Sequence, residues 1–275
     1  MKSKIKSLIV KHLMSYKKED LCNALNKLGL ETGDCLMVHS SWLPLNGFKG
    51  RPVDMVSALK DVAGQSGILI MPTLTYQNKS SRDFLLSSTP MDVTRSPSMM
   101  GLLSEVFRRG KDVTRSLSPT HPLAVWGDKR DEFVQGHESC LVPFGVGSPF
   151  EKLLQCNGKI LTIDAPFATI TFTHYLEDRI ASFLPFPLYD PSPMTGQVID
   201  YDKKLLEVQV NVISEIANSA RCEQRLVDRL NRCGAMKHKR IGNTHLMLIE
   251  CKTMADCVDD MVKEGEVFFD LSCER

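Results

Sequence analysis

The sequence predicts an α/β fold: a central mixed sheet flanked by helices. A smaller C-terminal α+β section (about 186–275) packs on a core (about 1–185) within one 275-residue domain. Three observations predict this. Up to Pro185, short apolar runs alternate with stretches of helical periodicity. Beyond Pro185 the pattern turns to the turn-rich "FPLYDPSPMTG", an alternating strand and a charged helix. The composition, 43% hydrophobic and 24% charged, is that of an ordinary globular chain, long enough to bury a sizeable core.

Within residues 1–30, Ile5, Leu8, Ile9, His12 and Leu13 share one helical face, and Leu21, Ala24, Leu25 and Leu28 share another. "CLMVHSS" (35–41) is a buried strand running into polar residues, and "VDMVSALKDVAG" (53–64) is an amphipathic helix. "GILIMPTLTY" (67–76) is a second strand, and "SPSMMGLLSEVFRRG" (96–110) a helix stopped by Gly110. "PLAVWG" (122–127) and "GKILTIDAP" (158–166) are strands three and four. Between them, "SPFEKLLQCNG" (148–158) is a helix with Ser148 as N-cap, Pro149 at the first helical position and Glu151 as the reciprocal partner of a capping box. "TFTHYLEDRIASFL" (171–184) is a further helix. In the C-terminal section, "LLEVQVNVI" alternates as a half-buried strand does; a helix at 223–233, a strand at "THLMLIE" and a capped helix from Thr253 follow.

Lys plus Arg (34) balances Asp plus Glu (33), so no electrostatic argument favours nucleic acid as a partner. Nine cysteines without a CxxC point to reduced thiols rather than a disulfide framework or a zinc site. The basic N-terminus has no apolar run long enough for a signal peptide or membrane helix, so the expected location is cytoplasmic, with no membrane partner. GxSxG, GxGxxG and GxxxxGK[ST] are all missing, which removes the main supports for an α/β-hydrolase, a dinucleotide site or a Walker-type phosphate site.

In open α/β sheets, ligands gather at the carboxyl ends of strands. Here those ends carry His39-Ser40-Ser41, Thr73-Leu74-Thr75 and Asp164-Ala165-Pro166. His174 and Glu177 in "THYLED" are three apart, so on a helix they share a face. A carboxylate beside an imidazole orients it and raises its basicity, as a general base requires. The same spacing also suits a solvated helix face. "RSLSPTHPLAVWG" (115–127) offers Arg115, hydroxyl residues and His121 on a proline-held loop. His137 lies three residues before Cys140, and Cys35 opens a strand; neither stretch displays a thiolate-stabilising setting.

Taken together, "VHSSW", "GILIMPTLTY", "RSLSPTHPLAVWG", "PFGVGSPFEKL" and "THYLED" resemble the aminoglycoside 3-N-acetyltransferase family, in order and spacing, over roughly residues 20–270. The resemblance implies an α/β enzyme, distinct from the GNAT fold, that uses acetyl-CoA as co-substrate, without a metal, to acetylate a small-molecule amine. It implies His174 as the catalytic histidine and Glu177 as its carboxylate. It further implies His39, Ser40, Ser41 and Thr73, with Arg115, Ser116 and Ser118, along the acetyl-CoA side. "GVGSPFE" is similar to the family's loop and helix start beside the site. The chain departs from the family at Asp164, where glycine is usual, at Ile170, near an expected Asn, and at Ser118, where His is frequent. The expected acceptor is an amino sugar or an aminoglycoside-like amine, with a homodimer left open. Water as acceptor (a thioester hydrolase) and a non-catalytic acyl-CoA-binding role are the other readings.

Overall fold

A computed structural model describes residues 8–10, 12–43 and 45–270. Its ten strands are β1 (Cys35–Ser40), β2 (Ile68–Pro72), β3 (Met91–Asp92), β4 (Val113–Arg115), β5 (Leu123–Trp126), β6 (Lys159–Ile163), β7 (Met194–Ile199), β8 (Leu205–Val210), β9 (Lys237–Ile241) and β10 (Thr244–Glu250). Seven of them form a mixed sheet in the order β4-β5-β2-β1-β6-β10-β9; β3, β7 and β8 form a smaller one. The centre of the large sheet, β2-β1-β6, is parallel, and its two wings are antiparallel. The mixed α/β architecture expected from the sequence is what the chain adopts.

Side chains of a strand alternate between faces, so β1 divides its apolar residues between two cores. Leu36 and Val38 join Leu69, Met71, Leu161 and Ile163 under the helices Lys18–Leu28, Pro52–Ala63 and Leu102–Arg108. Cys35 and Met37 join Ile70, Ile160 and Met247 under Pro149–Gln155, Thr173–Arg179 and Cys251–Lys263. Central strands covered on both faces read as continuous apolar runs, which is why they are visible in the sequence.

Several boundaries differ from the expectation. The second strand ends at Pro72, and 73–76 is irregular. The helix expected from 96 begins at Leu102, behind Gly101, whose φ of 106° suits glycine. The stretch 171–184 divides into Thr173–Arg179 and a 3₁₀ turn, Ala181–Phe183. The last helix starts at Cys251, without a side-chain cap. Near the N-terminus, Leu8, Ile9 and Leu13 are exposed and Val10 is buried instead; Ile5 lies outside the described residues. The chain beyond 186 feeds both sheets: β7 and β8 build the small one, while β9 and β10 extend the large one. Among the described residues, no helix is long and apolar enough to cross a membrane.

Candidate active site

His174 lies in the first turn of the helix Thr173–Arg179. The turn before it is pinned by Thr173 Oγ1, which donates to the Ile170 carbonyl at 2.7 Å. Ile170 itself is a core residue. One helical turn on, Glu177 is fully buried, with Oε2 2.9 Å from His174 Nδ1. An ionised carboxylate only accepts, so Nδ1 carries the hydrogen and Nε2 is left as the imidazole's acceptor. Glu177 has a second partner that sequence reasoning missed. Arg221 donates through Nε to Oε1 (2.5 Å) and through a terminal nitrogen to Oε2 (3.0 Å), the fork geometry of a bidentate pair. Burial alone would raise the Glu177 pKa; His174 and Arg221 outweigh it and hold the carboxyl below its ordinary value. Arg221 follows the short helix Glu215–Ala220 and forms an isolated β-bridge with Phe269. No local pattern marks it, because its partner is 44 residues away.

About a quarter of the His174 side chain stays exposed, and it faces a cleft of about 580 Å³. Residues 79–83 and 211–221 form much of its wall. His121 and Phe144 complete the inner wall, with ring centroids 5.7 and 5.3 Å from that of His174. Burial, then the neighbouring His174, holds the His121 pKa well below the usual histidine value.

A second cleft, of about 440 Å³, opens at the carboxyl end of β1. It is lined by His39, Ser40, Ser41 and Trp42 against Met99–Leu102. His39 Nε2 is buried without a hydrogen-bond partner, and burial pushes the imidazole pKa down to about 3. The two clefts flank one segment: Leu74 and Tyr76 face the first, Pro72 and Gln77 the second.

The remaining predicted site residues line neither cleft; their polar atoms bind the protein. Arg115 is buried and donates to Thr73 Oγ1 (3.0 Å), the Thr73 carbonyl and the Ser96 carbonyl (2.7 Å). Burial pulls its pKa down to about 9. Thr73 Oγ1 in turn donates to the Pro122 carbonyl. Ser116 Oγ accepts from the Leu123 amide and contacts His137 Nδ1 at 2.8 Å; Ser118 Oγ accepts from the His121 amide. These residues hold the 115–123 loop against the end of β2.

His137 and Cys140 form no dyad. His137 Nε2 donates to the Pro143 carbonyl at 2.6 Å, and burial lowers the ring's pKa to about 4. The Cys140 thiol donates to Gly136 O at 3.4 Å, and burial raises its pKa. In "GVGSPFE", Ser148 caps its helix, accepting from Phe150 and Glu151 amides. The capping box is incomplete, since Glu151 reaches past Ser148 to the Gly147 amide (2.7 Å). Asp164 adopts φ 54°, the left-handed region that favours glycine. Its side chain stabilises the turn by accepting from the His245 amide at 2.8 Å. Among the described residues, no group of three or more His, Cys, Asp or Glu is arranged to hold a metal ion.

The family model described as aminoglycoside 3-N-acetyltransferase matches residues 37–263. The SPbeta prophage-derived aminoglycoside N(3')-acetyltransferase-like protein YokD of Bacillus subtilis is 25% identical over 226 residues, covering 76% of this chain and 82% of that one. Aminoglycoside N(3)-acetyltransferase III of Salmonella sp is 28% identical over 171 residues, 58% of this chain and 59% of the relative. Among solved structures, aminoglycoside acetyltransferase AAC(3)-Xa superposes with a TM-score of 0.78 at 21% identity, covering 95% of this chain and 98% of its own. AAC-IIIb, solved as a binary complex with CoASH, superposes with a TM-score of 0.73 at 20% identity, covering 90% of this chain and 97% of its own. At these identities the superpositions establish the fold.

Proposed function

The chain belongs to the aminoglycoside 3-N-acetyltransferase family, and we propose that it transfers an acetyl group directly from acetyl-CoA to the amine of an amino sugar or aminoglycoside-like acceptor. The observation that carries this reading is the buried Glu177, which Arg221 clamps and which holds His174 Nδ1 at 2.9 Å. An acceptor ammonium is not a nucleophile. His174 Nε2, facing the first cleft, takes the proton as the amine nitrogen attacks the thioester carbonyl carbon. Glu177 stabilises the imidazolium that forms, and the C–S bond breaks to release CoA thiolate. Positioned base catalysis contributes roughly 10²–10⁴-fold. Acetyl-CoA enters from the second cleft. There His39, kept neutral by burial, and the Ser40 and Ser41 hydroxyls offer hydrogen bonds to its amides and carbonyls. Thr73, Arg115, Ser116 and Ser118 support that side from behind.

These assignments draw support from the family match, from the CoASH complex of AAC-IIIb and from the free polar atom on His39. The test is CoA release from acetyl-CoA, read with a thiol reagent against a no-substrate blank, with aminoglycosides, amino sugars, nucleotide-linked amino sugars and water as acceptors. Amine-dependent release that disappears in His174→Ala supports the reading. Release with water alone overturns it in favour of a hydrolase.

A further inference from the structure

At the opposite end of the sheet from both clefts, the strand register brings three cysteines together. Leu36 of β1 and Glu250 of β10 both pair with Lys159 of β6. Cys35 directly precedes Leu36 and Cys251 directly follows Glu250, so both flank the start of β6. Cys156 closes the helix Pro149–Gln155 three residues before Lys159, and the Cys251 amide donates to the Gly158 carbonyl between them at 2.8 Å. Their environments differ. Cys251 is fully buried, Cys35 is nearly so, and Cys156 is exposed. One residue back from the Leu36–Lys159 pair, Cys35 lies beside Gly158, two residues from Cys156, whose thiol donates to the Leu153 carbonyl at 3.4 Å. The neighbouring Cys35 lowers the Cys156 pKa, while Cys156 and burial raise that of Cys35. The thiolate is the reactive form, so the accessible cysteine is the one favoured to react, and a buried cysteine lies close beside it.

We propose that Cys156 is a peroxide-oxidation site resolved by Cys35, so that the two close an intramolecular disulfide between the bases of β1 and β6. In the first step the Cys156 thiolate attacks a peroxide oxygen; the O–O bond breaks, giving Cys156 sulfenic acid and, after protonation, water. In the second, the Cys35 sulfur attacks the sulfenic sulfur, its proton leaves with the hydroxide as a second water, and the S–S bond forms. Two thiols and one hydrogen peroxide give one disulfide and two waters; the peroxide is reduced by two electrons. Cys251 is a bystander: of the two buried thiols it is the more deeply enclosed, and Cys35 is the one that lowers the Cys156 pKa.

Another exposed and buried cysteine pair, Cys233 with Cys257, provides an internal control. It joins two helices, and there burial raises the Cys257 pKa to about 11. The test is to treat the reduced, full-length protein with a small excess of hydrogen peroxide, block free thiols and map the peptides by mass spectrometry. The expected result is a loss of two hydrogens and a crosslinked peptide pair joining Cys35 to Cys156. In Cys35→Ser, Cys156 is instead trapped as a dimedone adduct; in Cys156→Ser, Cys35 stays reduced. Oxidation of wild-type Cys156 while Cys35 remains free overturns the proposal, as does a bridge from Cys156 to Cys251, or a Cys233–Cys257 bridge forming first. The wild-type map decides by itself if the buried Cys35→Ser change impairs folding.

Discussion

The two clefts each present a histidine at the upper end of the sheet, and the two are built in opposite ways. His174 is partly exposed and backed by a buried carboxylate, itself clamped by an arginine. His39 is buried, has no charged partner, and keeps a bare Nε2. An imidazole that must accept a proton needs a countercharge to stabilise the cation. One stripped of countercharge and water stays neutral and can only hydrogen-bond. The difference assigns proton transfer to the first cleft and ligand holding to the second. Removing each ring tests the division. His174→Ala is expected to lower turnover by roughly 10²–10⁴-fold with acetyl-CoA affinity nearly intact. Equal loss of acetyl-CoA binding, measured by calorimetry, would make His174 a binding residue and erase the contrast.

The next largest effect concerns what stands behind His174. Arg221→Met leaves Glu177 buried with a single partner, and breaking a buried ion pair costs about 3–5 kcal/mol. Urea unfolding should report a loss of that order, with Arg221→Lys recovering part of it through a single donor. Arg221 is a positioning residue, so its signature is also kinetic. Without Arg221, Glu177 loses one of the two partners that hold its carboxyl below the ordinary value, so it ionises at higher pH and the acid limb of kcat/KM moves up with it. A destabilised variant with an unmoved pH profile would reduce Arg221 to scaffolding.

The parts of this arrangement legible in sequence are those set by local geometry. The parallel strands are visible because burial on both faces makes them apolar throughout. The His174–Glu177 pair is visible because three residues is nearly one helical turn. Edges and long-range partners are not. β9 reads "KHKRI", a charged edge strand with no apolar alternation, which suits an edge that must avoid pairing with other chains. Arg221 sits among the charged residues of "RCEQRL", and only the packing of the C-terminal stretch brings it to Glu177. Arg115, Ser116 and Ser118 teach the converse. Their side-chain chemistry suits a ligand, but the irregular loop has backbone groups to satisfy, and those polar atoms satisfy them.

The smallest effect sharpens the comparison most, because it separates burial from catalysis. A histidine whose folded pKa lies below its unfolded value stays neutral while the unfolded chain takes up a proton. The folded state therefore keeps its full advantage above pH ~6.5, the unfolded histidine value. As pH falls from there toward about 3, His39 loses stability for the protein, at about 1.4 kcal/mol per pH unit. His39→Asn removes this proton linkage while retaining one donor and one acceptor in the second cleft. Its unfolding free energy should accordingly fall less steeply between pH 6 and pH 4 than that of the wild type. At neutral pH the change should show mainly in KM for acetyl-CoA, by the roughly 1 kcal/mol of one hydrogen bond, with kcat little altered. A kcat loss as large as that of His174→Ala would place proton transfer in both clefts and end the distinction between them. An unchanged KM with the altered pH slope would leave His39 a buried structural histidine, and the acetyl-CoA contacts of that cleft would then fall to Ser40 and Ser41.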